Sequence, residues 1–423
     1  MGRTFRGLLI AIALFAAGAA GFAIWLAMPA TPPKAPELGS LRGSVEQGRY
    51  LATIANCVSC HTGEDGTPYA GGHAFHTDFG IIYSTNITSD PEAGIGGWSF
   101  EQFYDAMRFG LRDDGAHLYP AFPYTAFTKL SDDDIASLFL FLREVAPSAA
   151  KAPENELAFP FNQRALMKAW NVLFLDTNRD MYAADSSSPV DRGRYVVDAL
   201  GHCSACHTPR NLFGAERQDL ALSGGAIIDE VMPGKYRRWS SVNLTPAKTG
   251  LGPWSKTDLM QYLKTGENGK AIVHGPMNEV VMNSTRFLSD RDLDAVASYL
   301  QSLPARERRS GRRPDPDDLK RDEVAYTVHC GSCHLPTGIG DVGLGISLAG
   351  NAVVQAPDPA SLINVILYAP HLAPPPFVLE RTRMKPFGKR LPASEIARIT
   401  SYLRASFGND AGEVSVEQVN AQR

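Results

Sequence analysis

Cys57-Val58-Ser59-Cys60-His61, Cys203-Ser204-Ala205-Cys206-His207 and Cys330-Gly331-Ser332-Cys333-His334 use every cysteine of the chain. In each, two residues separate the cysteines and a histidine follows at once, the C-x-x-C-H pattern of c-type haem attachment. On one helical turn the two thiols share a side and reach the two vinyl groups of a porphyrin, while the next imidazole is aimed at the iron. Zinc needs four ligands, often from two pairs lying close together. These pairs stand more than a hundred residues apart, each with its own histidine. A redox dithiol of the thioredoxin type expects a βαβ setting, and none is legible. The spacing predicts three covalently bound haem c groups, carried by Cys57, Cys60, Cys203, Cys206, Cys330 and Cys333, with His61, His207 and His334 as iron ligands.

Working outward, the flanks of the first two motifs repeat each other. Gly48-Arg49-Tyr50 and Gly193-Arg194-Tyr195 precede them; Gly71-Gly72 and Gly224-Gly225 follow. Then Asn86-Ile87-Thr88 answers Asn243-Leu244-Thr245, and Trp98-Ser99 answers Trp254-Ser255. Each Trp-Ser enters a helix ending near Gly110 or Gly266, and Ser131 and Ser289 open a last helix. Two copies of one unit, 45–148 and 187–305, are expected, with a shorter third at 317–408. Ser99-x-x-Gln102 has the form of a capping box. With little strand signal, the fold class reads as all-α. The charged segment 305–318 reads as a solvated linker, with a docking strip as its alternative, and the polar tail after Gly408 as frayed. Trp98 and Trp254 are expected near the haem edges. Arg49 and Arg194 would meet propionates or pair on the helix surface, and Asp132–Asp134 reads as a helix start rather than a metal site.

The sixth iron ligand sets the job of each haem, and methionine gives an electron-transfer haem of raised potential. Met277, in Gly275-Pro276-Met277, is the candidate for the second site, with Met282 as competitor; Met384 is the candidate for the third. The first copy has Phe122 in the aligned stretch Leu118–Tyr124. Its one methionine past His61 is Met107, a candidate ligand whose alternative is a core side chain. His76 or His117 as ligand, or a five-coordinate haem, stays open.

Arg3 and Arg6 precede an apolar run from Leu8 to Met28, 21 residues, or about 30 Å of helix and enough to span a bilayer. Residues 1–30 are thus an uncleaved anchor or an export signal, and 31–44 a proline-rich linker. The leading positive charges put everything downstream outside the cytoplasm. The 423 residues, 44% hydrophobic and 20% charged with a net charge of −4, exclude a disordered chain, a multi-span transporter and a nucleic-acid footprint.

From Gly48-Arg49-Tyr50 through the Cys-His-Thr, Gly-Gly, Asn-Ile-Thr and Gly-x-Trp-Ser stretches to Leu118–Tyr124, residues 40–408 resemble the three-haem cytochrome c subunits of membrane-bound bacterial dehydrogenases. Within that family the chain looks most like the branch that partners aldehyde or molybdenum dehydrogenases. The resemblance implies three tandem class-I-like cytochrome c domains with an N-terminal membrane helix, held on the periplasmic side of the cytoplasmic membrane. It implies a dehydrogenase catalytic subunit as partner and ubiquinone as electron acceptor. It also implies Met277 and Met384 as axial ligands, with Phe122 departing from the pattern. Substrate chemistry would then lie in another chain. A multihaem peroxidase, which needs an open haem, and a cytochrome subunit of a terminal oxidase are the alternatives.

Overall fold

The computed structural model describes residues 2–63, 65–179, 181–182, 184, 186–232, 235–308, 311–341, 343–370 and 384–423. Helices begin where the sequence supplies a side-chain oxygen. Ser99 Oγ accepts from the Gln102 amide at 3.2 Å and Gln102 Oε1 from the Ser99 amide at 2.8 Å, closing the expected capping box of helix Phe100–Phe109. Ser255 and Asp258 do the same for helix Lys256–Thr265. Ser131 and Ser289 cap helices Asp132–Leu142 and Asp290–Ser302, so the Asp132–Asp134 run is a helix start. Gly110 (φ 62°) and Gly266 (φ 80°) end their helices in the left-handed region, which costs glycine nothing.

Segments 45–148 and 187–305 repeat several hydrogen bonds around their motifs. Gly71 N–H donates to His61 O and Gly224 N–H to His207 O, both at 2.8 Å. Asn86 Oδ1 accepts from the Thr88 amide and hydroxyl at 2.9 and 2.7 Å; Asn243 Oδ1 accepts from Thr245 at the same distances. Helix Val45–Ile54 crosses Asp132–Leu142 at Gly48, where a Cβ would lie 1.9 Å from Ser137 O. Helix Pro189–Arg194 crosses Asp290–Ser302 at Gly193, where a Cβ would lie 2.0 Å from Ala295 O. The second copy has one residue more between Tyr195 and Cys203 than the first has between Tyr50 and Cys57. The chain absorbs it as a π-helical turn, Tyr195–Leu200, in which Gly201 N–H reaches back to Val196 O.

The chain is mostly helical, but the all-α expectation needs correction. Strands β1 (Ala74–Thr77), β2 (Gly80–Tyr83) and β3 (Glu156–Leu157) form an antiparallel sheet in that order, with Ala74 opposite Tyr83 and Gly80 opposite Leu157. Strands β4 (Ala226–Met232) and β5 (Lys235–Ser240) form a hairpin with a register shift between Glu230 and Met232. The hairpins follow the Gly-Gly pairs and hold branched and aromatic side chains such as Ile81, Ile82, Ile227 and Ile228, which suit a pleated surface.

The two copies share one core. A continuous apolar cluster runs from Leu51, Leu138 and Phe139 to Tyr195, Leu200 and Leu300. They also exchange hydrogen bonds at their helix caps. Tyr50 O–H donates to Asp292 Oδ2 at 2.6 Å, and Tyr195 O–H donates to the equivalent Asp134. Each tyrosine thus seats on the other copy's last helix. A separate cluster holds Tyr326, Ile363, Ile396 and Tyr402. It docks on β5, where Ser240 and Ser361 bond reciprocally (2.9 and 3.1 Å) and Arg238 pairs with Asp358 at 2.6 Å.

Other segments depart from expectation. Helix Leu166–Phe174, between the copies, has no counterpart in the repeat pattern; its Asn171 accepts from Tyr124 O–H at 2.7 Å. The 305–318 segment is strapped down over its described part: Glu307 accepts from the Thr249 hydroxyl at 3.0 Å, and Arg308 donates to Gly224 O at 2.6 Å. The tail is packed, not frayed: Val414 and Val419 are buried, and Tyr368 O–H donates to Gln422 O at 2.9 Å. Helix Gly2–Ala27 contains a 23-residue stretch, Phe5–Ala27, whose most apolar 18-residue window has a mean hydropathy of 2.3 and is nowhere buried.

Candidate haem-binding sites

Each C-x-x-C-H forms one helical turn. His61 N–H donates to Cys57 O (2.9 Å), His207 N–H to Cys203 O (3.0 Å) and His334 N–H to Cys330 O (3.0 Å). The first and fourth residues of such a turn face the same way, which sets both thiols against one edge of a ligand. The turns at Cys57 and Cys203 are entered through left-handed residues, Asn56 (φ 54°) and His202 (φ 36°), which turn the chain sharply out of the preceding helix. The six thiols are half-buried and unpaired.

The histidines are oriented alike. His61 Nδ1 lies 2.6 Å from Thr85 O, His207 Nδ1 2.8 Å from Val242 O and His334 Nδ1 2.9 Å from Ile346 O. A carbonyl accepts only, so Nδ1 carries the proton and the Nε2 lone pair is left for a metal. Burial holds all three imidazoles below the usual histidine range, in the neutral form that ligates. Thr85 and Val242 immediately precede the Asn-x-Thr pairs. Those pairs are pinned in turn: Asn86 Nδ2 donates to Ser148 O at 2.7 Å and Asn243 Nδ2 to Arg306 O at 2.8 Å. The repeated Asn-x-Thr thus holds the carbonyl that aims the histidine, a role its repetition alone did not reveal.

Burial pushes the thiols of Cys57, Cys60, Cys203 and Cys330 up to about 12. Redox C-x-x-C pairs need the opposite, a depressed thiol. Among the described residues, no cluster of three or more His, Cys, Asp or Glu could hold a metal ion directly. An iron here must bring most of its ligands with it, as a porphyrin does, so the residues fit haem c: two thiols for thioethers and one neutral imidazole for the iron.

The opposite ligands are placed less directly. Leu118 N–H donates to Gly110 O and Val273 N–H to Gly266 O, each at 2.7 Å. Counting on from these matched bonds sets Phe122 opposite Met277. The Phe122 ring packs 5.4 Å from Phe127 and 6.4 Å from Tyr124. Met277 and Met282 are half-buried on helix Met277–Asn283, and Met384 lies half-buried against the third core; the preceding Arg383 is outside the described residues. Met107 is only 6% exposed, inside the apolar cluster with Phe103 and Tyr104. His76 stacks on Tyr236 with ring centroids 3.3 Å apart, and His117 Nδ1 is 3.3 Å from Asn171 Nδ2. Trp254 is buried against Tyr262, while Arg49 lies over Phe141 and Arg194 over Tyr299, each on the last helix of its own copy.

The first two sites adjoin. Asn283, on the Met277 helix, donates to Ser59 Oγ inside the first motif at 2.7 Å. His202, beside the second motif, meets the Phe127 ring edge-on at 5.5 Å.

The Cytochrome c family model matches residues 45–146, from the start of helix Val45–Ile54 to just past helix Asp132–Leu142. The cytochrome c subunit of the quinone-type alcohol dehydrogenase of Gluconobacter oxydans is 36% identical over 401 residues, covering 90% of this chain and 82% of that one. This chain belongs to the family of dehydrogenase cytochrome c subunits. The fructose dehydrogenase cytochrome subunit of Gluconobacter japonicus is 36% identical over 434 residues, 93% of this chain and 85% of that one. A nicotinate dehydrogenase subunit of Pseudomonas putida is 38% identical over 391 residues, 90% of this chain; the chain spans 32% of that protein's length. As a dehydrogenase cytochrome c subunit, the chain carries covalently bound haem c and transfers electrons.

Proposed function

We propose that the chain is a three-haem relay passing electrons from the catalytic subunit of a periplasmic dehydrogenase to ubiquinone in the cytoplasmic membrane. The observation that carries this is the threefold recurrence of one arrangement: a C-x-x-C turn followed by a histidine whose Nδ1 is held by a backbone carbonyl. Domains 45–148, 187–305 and 317–408 each hold one such site. When bound, haem c supplies reversible one-electron chemistry. The chain would fix each group by two thioethers and keep the ligating imidazole neutral and aimed, with one apolar cluster beside the first two sites and a separate one beside the third. Met277 and Met384 complete the second and third sites. In the first, Phe122 fills the corresponding place, and Met107, His76 or His117 completes the site or it stays open.

Lys168 Nζ donates to the carbonyl oxygens of Trp25 and Met28 at 2.7 and 2.8 Å and sits 4.9 Å over the Trp25 ring. A cation at a helix C-terminus opposes the helix dipole. This contact favours a retained anchor over a cleaved signal. The partner is a dehydrogenase of alcohol, aldehyde, sugar-acid or N-heteroaromatic substrates, the last class suggested by the name of the nicotinate dehydrogenase relative.

The test is purification from detergent-solubilised membranes, with mass spectrometry of the co-purifying chains and substrate-driven reduction of the haems. A co-purifying dehydrogenase whose substrate reduces the haems, and which then reduces added ubiquinone, is the expected result. A chain that emerges alone, stays oxidised with every substrate and turns over peroxide would instead establish the peroxidase reading, which Phe122 at the first site favours.

A further inference from the structure

Beside the end of the N-terminal helix, six apolar side chains face outward: Phe159, Phe161, Val172, Leu173, Leu212 and Phe213. Val172 and Leu173 are 71% and 70% exposed, and Leu212 is 93% exposed. Such a concentration of large apolar side chains marks a contact site.

The links between them are continuous. Lys168 holds the end of the N-terminal helix, and Val172 and Leu173 lie a turn further along its own helix. On that helix, Trp170 Nε1 donates to Phe213 O at 2.9 Å, and the Phe174 ring lies 6.1 Å from that of Phe213. At Gly214 a Cβ would stand 3.0 Å from the Phe79 ring, and Phe79 packs 4.6 Å from Phe161. The 159–161 stretch, helix Leu166–Phe174 and the loop after the second motif therefore form one surface that starts at the exit of the apolar helix. The cations of this segment turn inward: Arg164 donates to His117 O at 2.9 Å and lies over Tyr119, and Lys168 holds the helix end, so neither interrupts the apolar face.

We propose that this face rests in the headgroup–acyl boundary of the bilayer that the N-terminal helix crosses, which rests on the anchor reading above. The occupant is lipid because the face adjoins the point where the helix leaves the membrane. A surface tied there by Lys168 cannot stand far from the headgroups. Amphipathic surfaces of this kind bury their apolar side roughly 5–10 Å deep. The orientation follows: Leu212 and Phe213 sit a few residues after His207, and Asn171 holds Tyr124, two residues from Phe122. The first and second sites then stand on the membrane side, where a lipid-dissolved electron acceptor is at hand.

The test uses the full haem-loaded chain in nanodiscs with spin labels at Phe159→Cys, Val172→Cys and Leu212→Cys. Phe15→Cys in the apolar helix and Val328→Cys on the third unit serve as references, and unchanged haem content shows that each variant folds. The labels at 159, 172 and 212 are expected to be relaxed severalfold more by oxygen than by a water-soluble nickel chelate, like the label at 15 and unlike the label at 328. Aqueous labels at 159, 172 and 212 with a lipid-exposed label at 15 would overturn the proposal and leave the anchor standing. An aqueous label at 15 with lipid-exposed patch labels would remove the anchor and keep the patch as the membrane contact. Patch labels shielded from both reagents would mean that protein covers the face, which also overturns it.

Discussion

Phe122 and Met277 occupy matched positions after matched hydrogen bonds, yet one can ligate iron and the other cannot. Exchanging them is a direct test of what this position does. Met277→Phe should abolish the methionine–iron charge-transfer band of the second haem and lower its potential, within the about 0.8 V that axial ligands command. Phe122→Met should add such a band at the first haem. Met282→Leu should leave the near-infrared spectrum unchanged; if it removes the band, the ligand is Met282. The cysteines and histidines were legible because their chemistry is local: thioether and imidazole geometry demand that spacing within one turn. The carbonyls of Thr85, Val242 and Ile346 were not, since a backbone oxygen carries no residue-type signature. Tyr50 and Tyr195 were visible as a repeated pattern, but their partners, Asp292 and Asp134, lie across the boundary between copies, and no local reading finds them.

At the scale of elements, helix crossings and caps carry the stability. Gly48 and Gly193 permit contacts that a methyl group would drive well inside van der Waals range. Gly48→Ala and Gly193→Ala should therefore each destabilise the holo chain by about 1–3 kcal/mol, despite alanine's better helix propensity. Gly18→Ala, with no neighbour within 4 Å, should not. Guanidinium midpoints decide this. The two caps should differ in sign with pH. Burial works to raise Asp292, but hydrogen bonds from Arg192 and Tyr50 carry it below the usual carboxylate range. Burial raises Asp134 despite Tyr195 and the more distant Arg192 charge. A depressed folded pKa adds stability above the unfolded value and loses it as pH falls through the folded one; a raised pKa subtracts stability as pH rises through the unfolded value. Asp292→Asn should thus cost about 1–3 kcal/mol at neutral pH and less near the unfolded carboxylate value of about 4. Asp134→Asn should raise the midpoint at neutral pH and leave it unmoved in acid. The capped helices and their glycine ends were legible because side-chain caps are written in residue type. The first hairpin was not, because its four-residue strands, half-buried throughout, show too little alternation to register as a period.

For the whole molecule, the repeat pattern suggested two like units and a shorter third, each closed on itself, whereas packing divides the chain differently. Leu51 and Leu138 from the first copy share one cluster with Leu200 and Leu300 from the second, and the cap tyrosines cross between them. The third unit keeps its own cluster and meets the second through a polar seam at Ser240, Ser361, Arg238 and Asp358. Sequence identity between copies says nothing of this, since a core shared by two copies and a core private to each use the same apolar positions. Cooperativity follows contiguous apolar packing, and polar seams yield first. Denaturation of the holo chain should therefore show two transitions, one for 45–305 together and one for the third unit. Leu138→Ala and Leu300→Ala, though in different copies, should lower the same transition, each by about 2–5 kcal/mol. Ile396→Ala should move only the other. Following the Soret absorbance in guanidinium, with the third haem marked by Met384→Leu, separates the cases. If Leu138→Ala and Leu300→Ala shifted different transitions, the copies would be independent and the shared cluster energetically idle; if all three variants moved one transition, the Ser240–Ser361 seam would be as strong as the core.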